Sequence, residues 1–174
     1  DQYFFPISTA KSAEEMGFRM VVQGTYNKST NPLKSLESLY KKYNKKNSLI
    51  SYKIGFHAEY TVDDDELKNM VTAVNDLKAP FHIHLAETKS EVANCIKNRK
   101  STPGMFLNKK GLWKYGGVAY HCCYLSEEEI NLFKKKNISI VTCPGSNLKL
   151  ASGIAPVKRY LNEGLLVGIG TDGP

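Results

Sequence analysis

Histidines and carboxylates stand at the ends of several apolar segments of this 174-residue chain. Five residues share this placement: His57, His84, Glu87, His121 and Asp172. Neutral imidazoles and carboxylates are common ligands of zinc and iron in proteins. We therefore predict a metal site, for zinc or iron, with His84 as a ligand. Glu87, three residues further along, could reach a substrate bound there.

The other residues of this set each have a second interpretation. Asp172 could ligate the metal and accept a proton from water, or it could cap a helix that follows it. His121 could be a ligand or a hydrogen-bond donor behind one, and His57 could be a polar residue without a catalytic role. His82, deeper in its apolar segment, is interpreted as a buried structural histidine.

Six apolar segments rich in β-branched and aromatic residues alternate with segments of helical spacing. We predict strands over residues 18–23, 49–56, 80–85, 117–122, 138–143 and 165–170. Strands joined by helices are parallel, because a parallel pair needs a crossover connection. The expected fold class is α/β with a parallel sheet; as a (β/α)8 TIM barrel it would hold about six of the eight parallel strands. Active sites of such barrels lie at the carboxyl ends of the strands, where these histidines and carboxylates fall.

Helical spacing is found over residues 8–16, 32–46, 126–136 and 155–161, and in a segment that starts at Thr61. Gly17 is typical of a helix end, and Ser126 with Glu129 has the spacing of a capping box. Residues 100–114 contain a proline and two glycines and predict an extra turn or a short helix.

The composition excludes several classes of protein. Hydrophobic residues make up 41% and charged residues 24% of the chain, as in globular domains. No apolar run approaches the roughly 20 residues of a membrane span, and the first residues lack a signal-peptide pattern. Four cysteines without a C-x-x-C pair argue against a disulfide scaffold or a zinc ribbon. We expect a cytoplasmic protein that does not bind membranes.

The net charge of +7 raises the question of nucleic-acid binding. Only Arg19, Arg99 and Arg159 are arginines among the 24 basic residues, whereas nucleic-acid sites favour arginine and interleaved aromatics. We favour a solvated lysine surface and no nucleic-acid partner. The alternative outside the enzyme class is a basic nucleic-acid-binding module, whose binding would depend steeply on salt and not on His84.

Three stretches of the sequence resemble the amidohydrolase superfamily. They are FHIHLAETKSEV, VAYHCCYLSEEE and CPGSNLKLASGIAPVKRYLNEGLLVGIGTDG. Within the superfamily they are most similar to the 5-methylthioadenosine/S-adenosylhomocysteine deaminases, and also to guanine deaminases and triazine chlorohydrolases. The resemblance covers nearly the whole chain, with further matches at TAKSAEEMGFR and HAEYTV.

The resemblance implies a catalytic role for each matching residue. His84 and Asp172 match ligands of a single divalent metal, usually zinc. Asp172 also matches the acceptor of the water proton, and Glu87 the group that protonates the substrate ring. His121 matches the histidine that orients the attacking water. The implied reaction is hydrolytic deamination of a purine or related heterocycle with release of ammonia.

The resemblance also implies contacts to the substrate. His57 matches a substrate-contacting histidine, and Arg19 matches an arginine that contacts the nucleoside portion in some deaminases. Glu87 and Asp172 would touch the substrate as well. The small-molecule partner expected from this group is a 5-methylthioadenosine or S-adenosylhomocysteine type of nucleoside, with guanine or a triazine as alternatives.

The resemblance further implies an incomplete domain over residues 1–174, from about the third barrel strand to the end of the eighth. The family's H-x-H motif on the first strand, its final helix and its small β-domain have no counterpart in this sequence. We expect such a fragment to be inactive or nearly so, because catalytic zinc normally has three protein ligands. Unpaired sheet edges near residues 18–23 and 165–170 predict a homo-oligomer.

Overall fold

The computed structural model describes residues 2–3, 5–27, 32–46 and 48–173. These residues form one sheet of seven strands, β1 to β7: Gln2–Tyr3, Met20–Thr25, Ile50–Gly55, Phe81–Leu85, Gly117–His121, Ile138–Thr142 and Val167–Ile169. Every neighbouring pair is parallel. The strands lie side by side in the order in which they follow one another along the chain.

This sequential order identifies how the sheet is wound. Doubly wound α/β sheets reverse their strand order at a switch point, whereas a barrel adds each new strand on the same side. The sheet is therefore part of a (β/α)8 barrel, which confirms the predicted fold class. None of the helices in the described residues has the length and apolar composition needed to cross a membrane.

The six predicted strands are all present, and their ends differ from the prediction by at most two residues. The two-residue strand β1 was not predicted, because so short a segment carries no periodic pattern. It pairs with β2 through Gln2 and Gln23, so the edge expected to be free near residues 18–23 has a partner. Among the described strands, β7 pairs only with β6.

Eight α-helices, α1 to α8, lie in the described residues: Pro6–Glu15, Leu33–Tyr43, Asp64–Leu77, Lys89–Arg99, Pro103–Lys110, Glu127–Lys136, Pro144–Lys149 and Val157–Asn162. Short 3-10 helices span Glu59–Thr61 and Leu112–Tyr115. Five α-helices match predicted segments, although the helix expected from Thr61 begins at Asp64. The extra helix expected in residues 100–114 is α5. The helices α4 and α7 were not predicted.

Reciprocal capping fixes the starts of the helices that follow the site strands. At α6 the Ser126 side chain accepts from the Glu129 N–H, and the Glu129 carboxylate accepts from the Ser126 N–H, as predicted. Thr88 and Glu91 make the same pair of bonds at the start of α4. A good N-cap contributes about 1 kcal/mol, so the loops after β4 and β5 are tied to their helices.

The two faces of the sheet differ in chemistry because strand side chains alternate. Phe81 of β4 is fully buried on the helix-covered face, where its ring meets Trp113 edge to face at 5.4 Å between centroids. His82 and His84 of the same strand lie on the opposite face. There both rings contact Tyr120 of β5. The hydrophobic core therefore lies under the helices, and the histidines lie on the inner face.

Gly55 permits the close approach of β3 to β4. A Cβ atom at this position would clash with the carbonyl oxygen of His82, which is its partner in the register. Just beyond, the backbone N–H of His84 donates to the carbonyl oxygen of His57 at 3.0 Å. The glycine thus lets the chain after β3 lie against the carboxyl end of β4, where His84 stands.

Candidate active site

Three side chains from different strands meet at the carboxyl edge of the sheet. His84 is in β4, His121 is the last residue of β5, and Asp172 comes three residues after the end of β7. One candidate ligand atom from each lies within 4.8 Å of the other two. Two imidazole nitrogens and a carboxylate oxygen form a donor set that suits zinc or non-haem iron. The residues present therefore fit a divalent metal.

The orientation of His84 is set by the chain that follows β3. Its Nδ1 lies 2.8 Å from the carbonyl oxygen of His57. Because a carbonyl oxygen can only accept, Nδ1 carries the hydrogen and Nε2 keeps its lone pair. Burial lowers the pKa of His84 to about 4, so the imidazole is neutral at physiological pH. A neutral ring with a free Nε2 is the form that binds a metal.

His121 is 1% exposed and is oriented from behind by α7. Its Nδ1 lies 2.8 Å from Oδ1 of Asn147, and a hydrogen on Nδ1 leaves Nε2 with a lone pair. Nε2 is 3.8 Å from a carboxylate oxygen of Glu87 and 3.8 Å from one of Asp172. His121 was predicted as a catalytic residue outside the ligand pair of His84 and Asp172. The structure makes it a candidate third ligand.

Asp172 is held in its ionised form by its neighbours. Partial burial opposes ionisation, but a hydrogen bond from Ser146 Oγ at 2.6 Å and one from the Gly173 backbone favour it. The nearby His121 and His84 act in the same direction, and the pKa of Asp172 lies below its usual value. The carboxylate can therefore serve as a metal ligand and as a proton acceptor.

Glu87 lies in the loop after β4, which a second glutamate shapes. The buried carboxylate of Glu91 accepts from the backbone N–H groups of Ala86 at 2.7 Å and of Glu87 at 2.8 Å. The side chain of Glu87 accepts a hydrogen bond from Ser152 Oγ at 2.8 Å. Its other oxygen points toward His121. Glu87 is thus placed beside the three candidate ligands, as the sequence predicted.

The turns that carry the site use left-handed backbone conformations. Ala86 has φ 49°, His121 has φ 66° and Asp172 has φ 61°. For residues with a Cβ this region costs about 1 kcal/mol or more. The contacts that these residues make at the carboxyl edge of the sheet must offset this cost. The three left-handed residues therefore mark the positions where the fold places site side chains.

Two predicted substrate contacts have different outcomes. The His57 ring is exposed and lies at the edge of the site, tilted by 46° against the His84 ring with 4.6 Å between the ring centroids. The structure does not bring Arg19 to the site, which corrects the expectation from the resemblance. Arg19 is exposed and precedes the first residue of β2, so it lies at the opposite end of a strand about 20 Å long.

His82 has the structural environment that the sequence predicted. It is 5% exposed, and its Nδ1 lies 3.1 Å from the Tyr120 hydroxyl. Burial lowers its pKa to about 3, with a smaller contribution from Lys53. His82 is not among the three grouped ligand atoms.

The residues that orient the site were not predicted. Asn147 and Ser152 hold His121 and Glu87 by side-chain hydrogen bonds. Their partners are 26 and 65 residues away in the sequence. The sequence offered one signal, since Ser146 and Asn147 follow the end of β6 in the same way as the other site residues follow their strands.

Comparison with known proteins identifies relatives of the whole chain. The amidohydrolase family model matches residues 6–174. A 5-methylthioadenosine/S-adenosylhomocysteine deaminase of Caldanaerobacter subterraneus subsp. tengcongensis is 39% identical over 181 residues. The match covers 100% of this chain and 42% of that protein, so the chain spans less than half the length of this relative.

Solved structures show the same arrangement of strands and helices. An adenosine deaminase from Xanthomonas campestris with bound zinc has a TM-score of 0.88 and 31% identity. The match covers 98% of this chain and 40% of the other. A guanine deaminase from C. acetobutylicum with guanine in its active site has a TM-score of 0.82 and 28% identity, covering 96% and 43%.

Proposed function

We propose, from the premise that this chain belongs to the amidohydrolase family, that its protein is a metal-dependent deaminase of purine nucleoside derivatives. The substrate class is that of 5-methylthioadenosine and S-adenosylhomocysteine, and ammonia is released. The observation that carries the proposal is the meeting of His84, His121 and Asp172 within 4.8 Å. Glu87 stands 3.8 Å from His121 beside them.

The metal would be held by Nε2 of His84, Nε2 of His121 and the carboxylate of Asp172. When bound, a divalent ion supplies the Lewis acidity that makes water a nucleophile near neutral pH. Three protein ligands are the usual number in a catalytic zinc site. His121 would be the third ligand in this chain, in addition to His84 and Asp172, the pair that the resemblance implies.

The carboxyl groups of Asp172 and Glu87 provide the proton transfers. Asp172 accepts one proton from the attacking water and passes it to the amino group, which leaves as ammonia. Glu87 gives its proton to the ring nitrogen beside the attacked carbon and regains one from the new hydroxyl group, which becomes the carbonyl. The two protons of water are then accounted for, and both carboxyl groups return to their starting state. The buried His121, whose Nε2 lies 3.8 Å from an oxygen of each carboxylate, would hold the metal next to them.

The choice among substrates follows the relatives. The 39% identical relative is named for 5-methylthioadenosine and S-adenosylhomocysteine, which makes these the first choice. Guanine is the alternative, because a guanine deaminase with 28% identity shares the fold. Triazine chlorohydrolysis was also expected as an alternative. The solved structures of triazine hydrolases that resemble this chain are only 19–22% identical to it, so they support the fold alone.

Ammonia release from a panel of substrates tests the proposal. The protein as its gene encodes it (hereafter the encoded protein) is loaded with zinc and offered 5-methylthioadenosine, S-adenosylhomocysteine, adenosine and guanine. We expect stoichiometric ammonia from the first two and its loss after chelation, with recovery on adding zinc. Zinc-independent turnover, or no turnover of any of the four compounds, would contradict the proposal.

The cellular setting and assembly complete the proposal. All four cysteines are free and buried, which is consistent with a cytoplasmic location.

Ile169 on β7 is 82% exposed, and β7 has one partner strand in the described sheet. We expect self-association through such an edge. Light scattering on the 174-residue chain itself should give a dimer or larger species, and a monodisperse monomer would refute this expectation.

A further inference from the structure

The segment of residues 146–152, which includes most of α7 and the turn after it, lies directly behind the site. Its polar side chains are almost fully buried, with Ser146 7%, Asn147 2% and Ser152 5% exposed. Each reaches a different site residue. The three hydrogen bonds join Ser146 to Asp172 at 2.6 Å, Asn147 to His121 at 2.8 Å and Ser152 to Glu87 at 2.8 Å.

Such an arrangement differs from the usual behaviour of these residue types. Serine and asparagine side chains near a helix end commonly bond to the adjacent backbone. Here the recorded side-chain bonds of Ser146, Asn147 and Ser152 are all to side chains of the site, 26 to 65 residues away in the chain. A buried polar group left without its partner would be costly, so the site residues and this segment constrain each other.

The segment is itself held in place. The Ser152 N–H donates to the Asn147 carbonyl oxygen at 2.9 Å and closes the turn. The Tyr124 hydroxyl donates to the Ser152 carbonyl oxygen at 2.8 Å. Gly153, with φ 146°, lies against the same tyrosine, and a Cβ there would clash with the Tyr124 hydroxyl. The serine and asparagine side chains therefore project from a fixed backbone.

We propose that the 146–152 segment is a positioning element in which Ser146, Asn147 and Ser152 each orient one site residue. The inference rests on the proposed function. Asn147 fixes the His121 tautomer with a hydrogen on Nδ1, so that Nε2 faces the candidate metal position. Ser152 binds one oxygen of Glu87 and leaves the other pointing toward His121. Ser146 binds the oxygen of Asp172 that lies 3.8 Å from His121 Nε2.

Because each residue has a different partner, single substitutions have different consequences. Asn147→Ala acts on a candidate ligand, and we expect zinc affinity to fall about 10- to 100-fold. Ser152→Ala acts on the proton donor alone, and we expect kcat to fall about 10- to 100-fold with zinc affinity unchanged within twofold. Ser146→Ala acts on Asp172, which serves both roles, so both quantities should fall. Asn98→Ala, the same change as Asn147→Ala at an exposed position of α4, is the control and should change neither.

The variants are made in the encoded protein, and four quantities are measured. Zinc affinity comes from competition with a chelator, kcat and KM from ammonia release, and folding from thermal denaturation. The fourth is the His121 ring NMR spectrum of the zinc-free protein, which should show hydrogen on Nδ1 in the wild type and a tautomer mixture in Asn147→Ala. Should the alanine variant fail to fold, Asn147→Asp keeps the acceptor oxygen and should retain the Nδ1–H signal.

The outcomes separate this inference from the proposed function. If the wild-type protein binds zinc and releases ammonia, and the Asn147 and Ser152 variants behave like Asn98→Ala, the positioning role alone is overturned. So does an equal loss of zinc affinity in Ser152→Ala and Asn147→Ala. Wild-type protein that neither binds zinc nor releases ammonia overturns the proposed function. In that case, an unchanged His121 tautomer in Asn147→Ala would overturn the positioning role as well.

Discussion

Glu87→Gln should lower the kcat of deamination by about 10²- to 10⁴-fold, which is the usual contribution of a positioned general acid. Glutamine keeps the size of the side chain and can still accept the hydrogen bond from Ser152. It cannot give a proton to a ring nitrogen, because an amide is not acidic in this range. Zinc affinity should stay within about threefold of the wild type, since Glu87 is not among the three grouped ligands.

A matched variant shows whether the effect belongs to the site. Glu128→Gln makes the same chemical change at an exposed position in α6 and should leave kcat unchanged. Steady-state ammonia release gives kcat for both variants under saturating substrate. A Glu87→Gln enzyme with wild-type kcat would remove Glu87 from the reaction.

His84→Ala should weaken zinc binding about 100-fold or more. A structural zinc site contributes about 12 kcal/mol through four ligands, so one ligand is worth about 3 kcal/mol. We attribute this loss of affinity to the missing Nε2. The other nitrogen, Nδ1, bonds a backbone carbonyl oxygen and does not face the metal, and the ring is only half-buried. Calorimetry or chelator competition on the encoded protein measures the change.

The neighbouring histidine offers a sharp control for this prediction. The His57 contribution to His84 is its backbone carbonyl, which remains in His57→Ala. That variant should bind zinc within about threefold of the wild type, even if the loss of its ring raises KM. Equal weakening in His57→Ala and His84→Ala would show that ring packing, and not ligation by His84, controls the affinity.

Most strands were predictable because their patterns are local. β6 consists of β-branched residues apart from one serine, and in β4 apolar residues alternate with histidines. A proline stands directly before β4 and another two residues after the end of β6. The missed elements have weak local signals. α4 buries only Glu91 and Cys95 and thus has almost no apolar stripe. α7 begins Pro-Gly-Ser-Asn and is six residues long, so its helix depends on contacts made by the folded chain.

The candidate site was predictable as a set of residue types at strand ends, and its geometry was not. His84, Glu87 and Asp172 follow apolar segments, and parallel strands bring such positions to one edge. That His121 Nε2 faces the same point depends on its left-handed backbone and on Asn147, and no sequence pattern encodes either. The expectation for Arg19 came from a matched residue type without regard to the strand end on which it lies.

Anomalous diffraction at the zinc edge, from crystals of the encoded protein grown with zinc, tests the central claim directly. The claim is that His84, His121 and Asp172 share one metal ion. We expect one strong peak bonded to Nε2 of both histidines and to an Asp172 carboxylate oxygen at about 2.0–2.2 Å. A zinc peak away from these atoms, or one that is not bonded to all three side chains, would contradict it.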